Sequence, residues 1–198
     1  MQIDTRQCLP HGWNSGVKGL IFIAIALFAT GATSLAADTT PAQMSGELRS
    51  MILNLNPNDI GVTQENYPEA VVVLVMETGF PEDSFTLSSI ADGSTSLYFG
   101  NGGGIIGGEE HENVREASGY LISVAQQFYQ KAQQVSVFPK PETGRVIFYF
   151  ITFDGVRSYS ALEDDLGNEK DELSDLFFVA HNVITELRKV EDNAHKEN

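Results

Sequence analysis

A glycine-rich segment is the part of this sequence whose residue types and spacing best suit ligand chemistry. Its glycines are Gly102, Gly103, Gly104, Gly107 and Gly108. Their spacing fits the pattern G-x-G-x-x-G, in which glycines let backbone N–H groups approach a pyrophosphate at the start of a helix. His111 follows and could add a metal-binding imidazole. The segment is therefore a candidate site for a small anion, a carboxylate or a metal ion.

Three observations argue against a nucleotide at this segment. The strand before it is predicted to belong to a hairpin, whereas a dinucleotide fold needs a parallel βαβ unit. No acidic residue closes the next strand about 20 residues further on. Glu109, Glu110 and Glu112 place negative charge where a phosphate would lie. The alternative interpretation is structural, because glycine also permits positive φ and a close crossing of two chain segments.

The histidines and serines of the sequence form no recognised catalytic set. His111 starts the pattern H-E-x-x-R, and Arg115 cannot replace the second imidazole of a zinc motif because its guanidinium stays protonated. The nucleophile pattern G-x-S-x-G does not occur. His181 could meet His111 in space, although a partly buried structural histidine is the favoured interpretation. We therefore predict no catalytic residues, no metal and no cofactor.

The chain is strongly acidic, with 12 Lys and Arg residues against 27 Asp and Glu residues. Such a charge repels phosphate backbones and anionic membrane surfaces, so we predict no nucleic-acid partner and favour a basic protein. The candidate partner-facing residues form an acidic segment: Glu163, Asp164, Asp165, Glu169, Asp171 and Glu172. This segment does not fit an EF-hand, because Leu166 stands where an oxygen ligand is required. A solvated loop that only maintains solubility is the alternative.

Residues 1–37 are predicted to be a secretory signal peptide. Lys18 precedes an apolar run over residues 20–28, and small residues continue to Ala37, which is the order that a signal peptide requires. We therefore expect an exported protein, periplasmic or secreted, without stable membrane association after cleavage. An uncleaved membrane anchor is the alternative, because residues 20–37 carry no charge over a length close to that of a membrane span.

Removal of residues 1–37 would take away two basic residues, one acidic residue and the only cysteine, Cys8. The remaining chain would hold 10 basic and 26 acidic residues, which is a net charge of −16. It would have no disulfide and no thiol, so a hydrophobic core must stabilise it.

Hydrophobic periodicity and turn residues predict the elements that position these candidates. Thr40, Pro41 and Gln43 form a capping box with proline at the first helical position, so a short helix begins there. Asp92-Gly93 and Asp154-Gly155 are hairpin turns. The predicted strands cover residues 70–76, 84–91, 94–99, 145–153 and 156–161, and the later helices cover residues 109–134 and begin again at Ser174. The continuous apolar runs 70–76 and 145–153 are expected to be covered on both faces.

These elements predict one α+β domain over residues 38–190, followed by a polar tail over residues 191–198. Because both hairpins join neighbouring strands, the sheet is expected to be mostly antiparallel and to have about five strands. A long central helix and a C-terminal helix are expected to pack on the sheet, and a short N-terminal helix precedes it.

The runs ADGSTSLYF, GGGIIGGEEH, TFDG and EDDLG resemble an uncharacterised family of small bacterial α+β proteins. The similarity spans about residues 47–190, and the glycine-rich segment with Glu110 and His111 is its most specific part. The resemblance implies no known activity. The order of elements also resembles profilin-like and roadblock-like sheets, but a likeness of topology does not carry function.

Three functional hypotheses follow from these observations. The leading one is a non-catalytic exported domain that binds another protein through an acidic surface, for example an immunity-type inhibitor, because electrostatic steering would speed the capture of a basic partner. The second is a domain that binds a small anion or a metal ion at residues 102–108 and His111. The third is a hydrolase of unrecognised type that uses carboxylates in a pocket or His111.

Overall fold

A seven-stranded antiparallel sheet forms the centre of the computed structural model, which describes residues 40–196. The strands are β1 Val71–Phe80, β2 Asp83–Ile90, β3 Thr95–Phe99, β4 Gly104–Ile106, β5 Gln133–Val135, β6 Arg145–Thr152 and β7 Gly155–Leu162. They lie side by side in the order β4-β3-β2-β1-β6-β7-β5. The predicted signal peptide of residues 1–37 lies outside the described residues.

Four α-helices are present in the described part of the chain: α1 Pro41–Leu53, α2 Glu112–Ala125, α3 Glu163–Gly167 and α4 Ser174–Lys196. The α+β class and the antiparallel sheet are therefore confirmed. The expected number of about five strands is too low, because β4 and β5 were not predicted. Among the described helices, none combines the length and the apolar composition that a membrane span needs.

The two unpredicted strands are the edges of the sheet, and each has three residues. β4 lies inside the glycine-rich segment and pairs with β3, with Gly104 opposite Tyr98. β5 pairs with β7 and lies where the central helix was expected to end. Neither strand is long enough to show an alternating pattern of apolar and polar residues, so periodicity could not reveal them.

The central helix is shorter than the predicted range of residues 109–134, because α2 ends at Ala125. The next side chain, Gln126, bonds to the sheet instead. Its Oε1 accepts a hydrogen bond from Val71 N at 2.9 Å, and its Nε2 donates to Val71 O at 2.8 Å. These bonds lie beside an irregularity in the register of β1 between Val71 and Val73. The end of α2 therefore coincides with a contact between Gln126 and Val71, which are 55 residues apart in the sequence.

The C-terminal part of the chain contains more helix than predicted. The last helix begins at Ser174 as expected, but it continues to Lys196, so the predicted polar tail is helical up to that residue. The acidic segment was predicted to be an exposed loop. It begins instead with α3, whose Leu166 is completely buried and holds this short helix against the core.

Helices α2 and α4 cover one face of the sheet, which we call the first face. The core there includes Leu74, Met76, Leu87, Leu97, Phe148 and Phe150 from the strands, and Val114, Leu121, Ala180 and Leu187 from the helices. Burial of this much apolar surface is the main source of stability in a chain without disulfides.

The opposite face, the second face, is covered by α1, by the segment after α1 and by a connector over residues 136–144. Its apolar cluster consists of Leu53, Val62, Val72, Val73, Val75, Ile147, Tyr149 and Ile151. β1 and β6 are therefore covered on both faces, as predicted. The capping box of α1 is also confirmed, because Gln43 N donates to Thr40 Oγ1 at 3.3 Å and Thr40 N donates to Gln43 Oε1 at 2.8 Å.

Three glycines of the glycine-rich segment lie where a side chain would not fit. A β-carbon at Gly102 would clash with Pro41 at the start of α1, and one at Gly104 would clash with the backbone of β3. A β-carbon at Gly108 would lie 2.6 Å from Leu187 Cδ2. These glycines therefore have a packing role, which agrees with the structural interpretation of the segment.

We expect Gly102→Ala to lower the free energy of unfolding by about 1–3 kcal/mol more than Gly103→Ala does. Both residues have positive φ, at 107° and 86°, so both substitutions strain the backbone. Only the first new β-carbon would clash, because nothing lies within 4 Å of the second. Urea denaturation of the two variants measures the difference. Equal losses would contradict the packing role of Gly102.

Candidate functional site

A buried ion pair joins α1 to the centre of the sheet. Arg49 Nε donates to Glu77 Oε1 at 2.6 Å, and Arg49 Nη2 donates to Glu77 Oε2 at 2.8 Å. The side chain of Glu77, on β1, is 1% exposed. Thr86 Oγ1 on β2 donates a third hydrogen bond to Glu77 Oε1, at 3.0 Å. Paired hydrogen bonds between ionised groups are stronger and more directional than bonds between neutral groups, so this contact fixes the position of α1.

Arg49 also holds the connector in place. Its Nη2 lies 3.1 Å from Phe138 O and 3.0 Å from Pro139 O, and Tyr149 OH donates to Pro139 O at 2.9 Å. Burial by itself lowers the pKa of Arg49, but the hydrogen bonds and the negative charge of Glu77 outweigh burial and raise it. Burial, with the charge of Glu77, raises the pKa of Tyr149 to about 12. Both side chains therefore keep their protons at neutral pH.

Tyr98, on β3, brings a buried hydroxyl to the same region. The residue is 5% exposed, and its hydroxyl has no hydrogen-bond partner among the described residues. Burial and the nearby charge of Glu77 raise the pKa of Tyr98, so the phenol keeps its proton and remains a donor. A buried polar group without a partner is uncommon in proteins. The hydroxyl of Tyr98 is therefore a donor that a polar group from outside could satisfy.

Arg49, Thr86 and Tyr98 line a narrow recess beneath α1. Its volume is about 10 Å³, which is close to the space that one water-sized group needs. Ser45, which is buried on α1, lines the recess from above. Lys140, on the connector, lines both the recess and a larger groove beside it. The recess is therefore the inner end of a longer polar depression.

The groove has a volume of about 540 Å³ and is open to solvent. Its walls are the start of α1, the turns after β1 and β3, and the end of the connector. Three carboxylates line it, from Glu82, Asp83 and Glu142, and Lys140 is its one cation among the described residues. Asp83 Oδ1 accepts a hydrogen bond from Ser84 N at 2.7 Å, so this carboxylate is fixed by the turn. The groove therefore presents an excess of negative charge to solvent.

The predicted ligand-binding glycines lie next to this depression but not in it. Gly100 and Asn101 line the groove, whereas Gly102, Gly103, Gly104, Gly107 and Gly108 line neither the groove nor the recess. His111 is exposed, and its side chain makes no capping hydrogen bond at the start of α2. A ligand-binding role for these residues stays a prediction.

His181 lies in an aromatic cluster on the first face. Its ring centroid is 4.3 Å from that of Phe177 and 6.3 Å from that of Phe85, and Nε2 is buried without a partner among the described residues. Burial, with a contribution from the charge of Arg188, lowers the pKa of His181. This packing agrees with the interpretation of His181 as a partly buried structural histidine. His111 is exposed, so the two histidines do not share a buried site.

The acidic segment uses part of its charge in local structure. Asp171 accepts a hydrogen bond from Leu173 N at 2.8 Å and another from Tyr159 OH at 3.2 Å. Glu172 forms an ion pair with Lys131. The other four carboxylates make no side-chain hydrogen bond to a described residue: Glu163, Asp164, Asp165 and Glu169. A partner-facing role of the whole segment stays a prediction.

Analysis of the sequence did not identify Arg49, Glu77 or Tyr98. One signal was present, because Glu77 is the only charged residue in β1 and Arg49 is the only basic residue in α1. A charge inside a buried strand requires a partner of opposite charge. The pattern could therefore have predicted a buried ion pair, although not which residues line the depression beside it.

Across residues 40–196 no group of three or more His, Cys, Asp or Glu side chains could hold a metal ion. No protein-family model, no curated protein and no solved structure matches this chain. The resemblance to an uncharacterised bacterial family therefore stays a prediction. The function has to be inferred from the chemistry of the recess and the groove.

Replacing Arg49 by Met is expected to lower the free energy of unfolding by about 3–5 kcal/mol, because it leaves the charge of Glu77 buried without a partner. Adding Glu77→Leu removes that charge and should recover most of the loss. Chemical denaturation of the native domain, both single variants and the double variant gives the coupling energy. If the two single effects simply add, the pair does not hold α1 as described.

Lowering the pH should reduce the free energy of unfolding of the native domain by more than it reduces that of a His181→Phe variant. The folded imidazole resists protonation because its pKa is lowered, whereas the unfolded chain takes up this proton near pH 6.5. The unfolded state then binds more protons, so stability falls as the pH decreases through that value. Phenylalanine keeps the aromatic contacts but does not titrate. Denaturation at about pH 7.5 and about pH 5.5 measures both losses, and equal losses would refute the assignment.

Proposed function

We propose that this domain is a non-catalytic binding module for a basic protein partner, and that the groove is its binding site. The observation that carries the proposal is the set of carboxylates from Glu82, Asp83 and Glu142 around an open groove of about 540 Å³. Pockets that hold ligands have volumes of about 300–1,000 Å³. A lysine or arginine side chain of a partner therefore has room to enter.

The charges of the protein support this choice of partner. The chain has a formal net charge of −15 at pH 7, and a field of that sign increases the rate at which a basic protein arrives. Glu82 and Glu142 are exposed and accept no side-chain hydrogen bond from another described residue. Their carboxylates are therefore available to a cation, whereas Asp83 is held in the turn.

The groove supports the proposal better than the acidic segment does, because its carboxylates surround a concave space that a side chain can enter, and Asp171 and Glu172 of the segment already have partners within the domain. The hydrolase hypothesis gains no support from the histidines. His111 is exposed, and His181 is enclosed by aromatic rings and held neutral. A binding module therefore accounts for more of the observed features than an enzyme does.

The proposal keeps an exported location, which rests on the sequence of residues 1–37. An immunity-type inhibitor of a basic toxin or enzyme is one concrete form of it. A small anion or a metal ion at the glycine-rich segment is the weaker candidate, because Gly102, Gly104 and Gly108 are needed for packing.

Binding of a labelled octalysine peptide to residues 39–198, which form one compact unit, tests the proposal. We expect binding that weakens strongly between about 20 and about 300 mM salt, because exposed charges are screened. Glu82→Gln with Glu142→Gln should weaken it by about tenfold. Glu65→Gln with Glu69→Gln is the matched control, since it removes the same charge from exposed residues outside the groove.

A third variant, Asp164→Asn with Glu169→Gln, removes the same charge from the acidic segment. The proposal predicts that only the groove variant loses most of its affinity. If all three variants weaken binding equally, the peptide responds to net charge alone and the groove is not the site. If the Asp164 and Glu169 variant loses most, the acidic segment is the binding surface instead.

A further inference from the structure

We infer that the recess beneath α1 accepts one oxygen of the carboxylate group of a ligand whose remainder lies in the groove. The inference deepens the proposed function by naming a carboxylate as a second group on the ligand. It rests on that proposal only because the ligand would reach the recess through the groove. Its basis is a contrast of charge: carboxylates surround the groove, whereas hydrogen-bond donors and two cations line the recess.

The cations of the recess are Arg49 and Lys140. Arg49 uses Nε and Nη2 for Glu77 and the connector, but its Nη1 makes no hydrogen bond to any described residue. Lys140 is exposed and forms no ion pair within the described part of the chain. Guanidinium and ammonium groups both bind carboxylates through charge-assisted hydrogen bonds. Because Glu77 balances the charge of Arg49, Lys140 supplies the net positive charge of the recess, and Arg49 contributes the N–H donors of Nη1.

The hydroxyl of Tyr98 adds a neutral donor. It is buried, lines the recess and has no partner among the described residues. Thr86 Oγ1, which donates its proton to Glu77 Oε1, accepts no hydrogen bond from Tyr98. A carboxylate oxygen in the recess would accept a hydrogen bond from Tyr98 while it lies near the cations.

Other ligand groups fit the recess less well. A cation would be repelled by Lys140 and could not accept a hydrogen bond from Tyr98, and an apolar group would leave the buried hydroxyl unsatisfied. The recess of about 10 Å³ accepts about one oxygen atom of either group, but a phosphate carries more negative charge than a carboxylate and is repelled more strongly by the carboxylates of the groove. The chemistry that fits is a monoanionic carboxylate joined to a neutral or cationic body. A small free acid and the C-terminus of a basic peptide both have that chemistry.

Two peptides that differ only at the C-terminus test the inference. Acetyl-Gly-Lys-Gly-Lys-Gly with a free carboxylate should bind residues 39–198 about tenfold more tightly than the same peptide with a terminal amide. Tyr98→Phe and Lys140→Gln should each reduce this preference by at least about threefold. Tyr120→Phe, on the other side of the sheet, is the matched control and should leave the preference unchanged.

The possible outcomes separate the inference from the proposed function. Equal binding of the acid and the amide overturns the inference, even if the groove variant still loses affinity. A different result is that the Glu82→Gln with Glu142→Gln variant binds both peptides as tightly as the native domain and still prefers the acid. That result overturns the proposed function and leaves the inference standing. Failure of both peptides to bind at about 1 mM contradicts both.

A competition experiment identifies the source of the carboxylate. If N-acetylglycine displaces the peptide acid from the native domain but not from the Tyr98→Phe variant, a small free carboxylate is sufficient. If N-acetylglycine does not compete while the acid still binds more tightly than the amide, the peptide chain in the groove is required and the ligand is a C-terminus.

Discussion

The second face of the sheet depends on the ion pair between Arg49 and Glu77. Helix α1 buries only Ser45 and Leu53, so apolar packing by itself attaches it weakly. The bidentate pair ties α1 to β1, and through Phe138 O it fixes the connector as well. A buried ion pair is often no more stabilising than an apolar replacement, and its value then lies in specifying one arrangement. Here that arrangement creates both the recess and one wall of the groove.

The two faces of the sheet differ in the chemistry of their buried side chains. The first face carries the large apolar core beneath α2 and α4. On the second face, the register places Glu77 opposite Thr86 and Thr86 opposite Tyr98. A row of polar side chains therefore runs from the ion pair on β1 to the recess at β3. Most of the apolar core lies on the other side of the sheet, so the polar row adds little to the burial of apolar surface.

The sequence predicted the features that depend on near neighbours and missed those that depend on distant ones. The capping box at Thr40, the Asp-Gly hairpins and the buried valine run each follow from a few adjacent residues. At the end of α2, Gln126 bonds to Val71, which lies 55 residues away. The recess depends on contacts between residues that are far apart in the sequence. Arg49 contacts Glu77, 28 positions away, and Phe138, 89 positions away. The glycine-rich segment predicted only the neighbourhood of the groove.

The short edge strands have a consequence for the behaviour of many copies of this protein together. β4 and β5 have three residues each, so a neighbouring chain finds few unpaired backbone groups with which to extend the sheet. Gly103 and Gly107, on either side of β4, adopt positive φ and prevent its extension. The only cysteine is Cys8, so no disulfide closes the domain. Resistance to strand-by-strand polymerisation is therefore built into the backbone geometry of the edges.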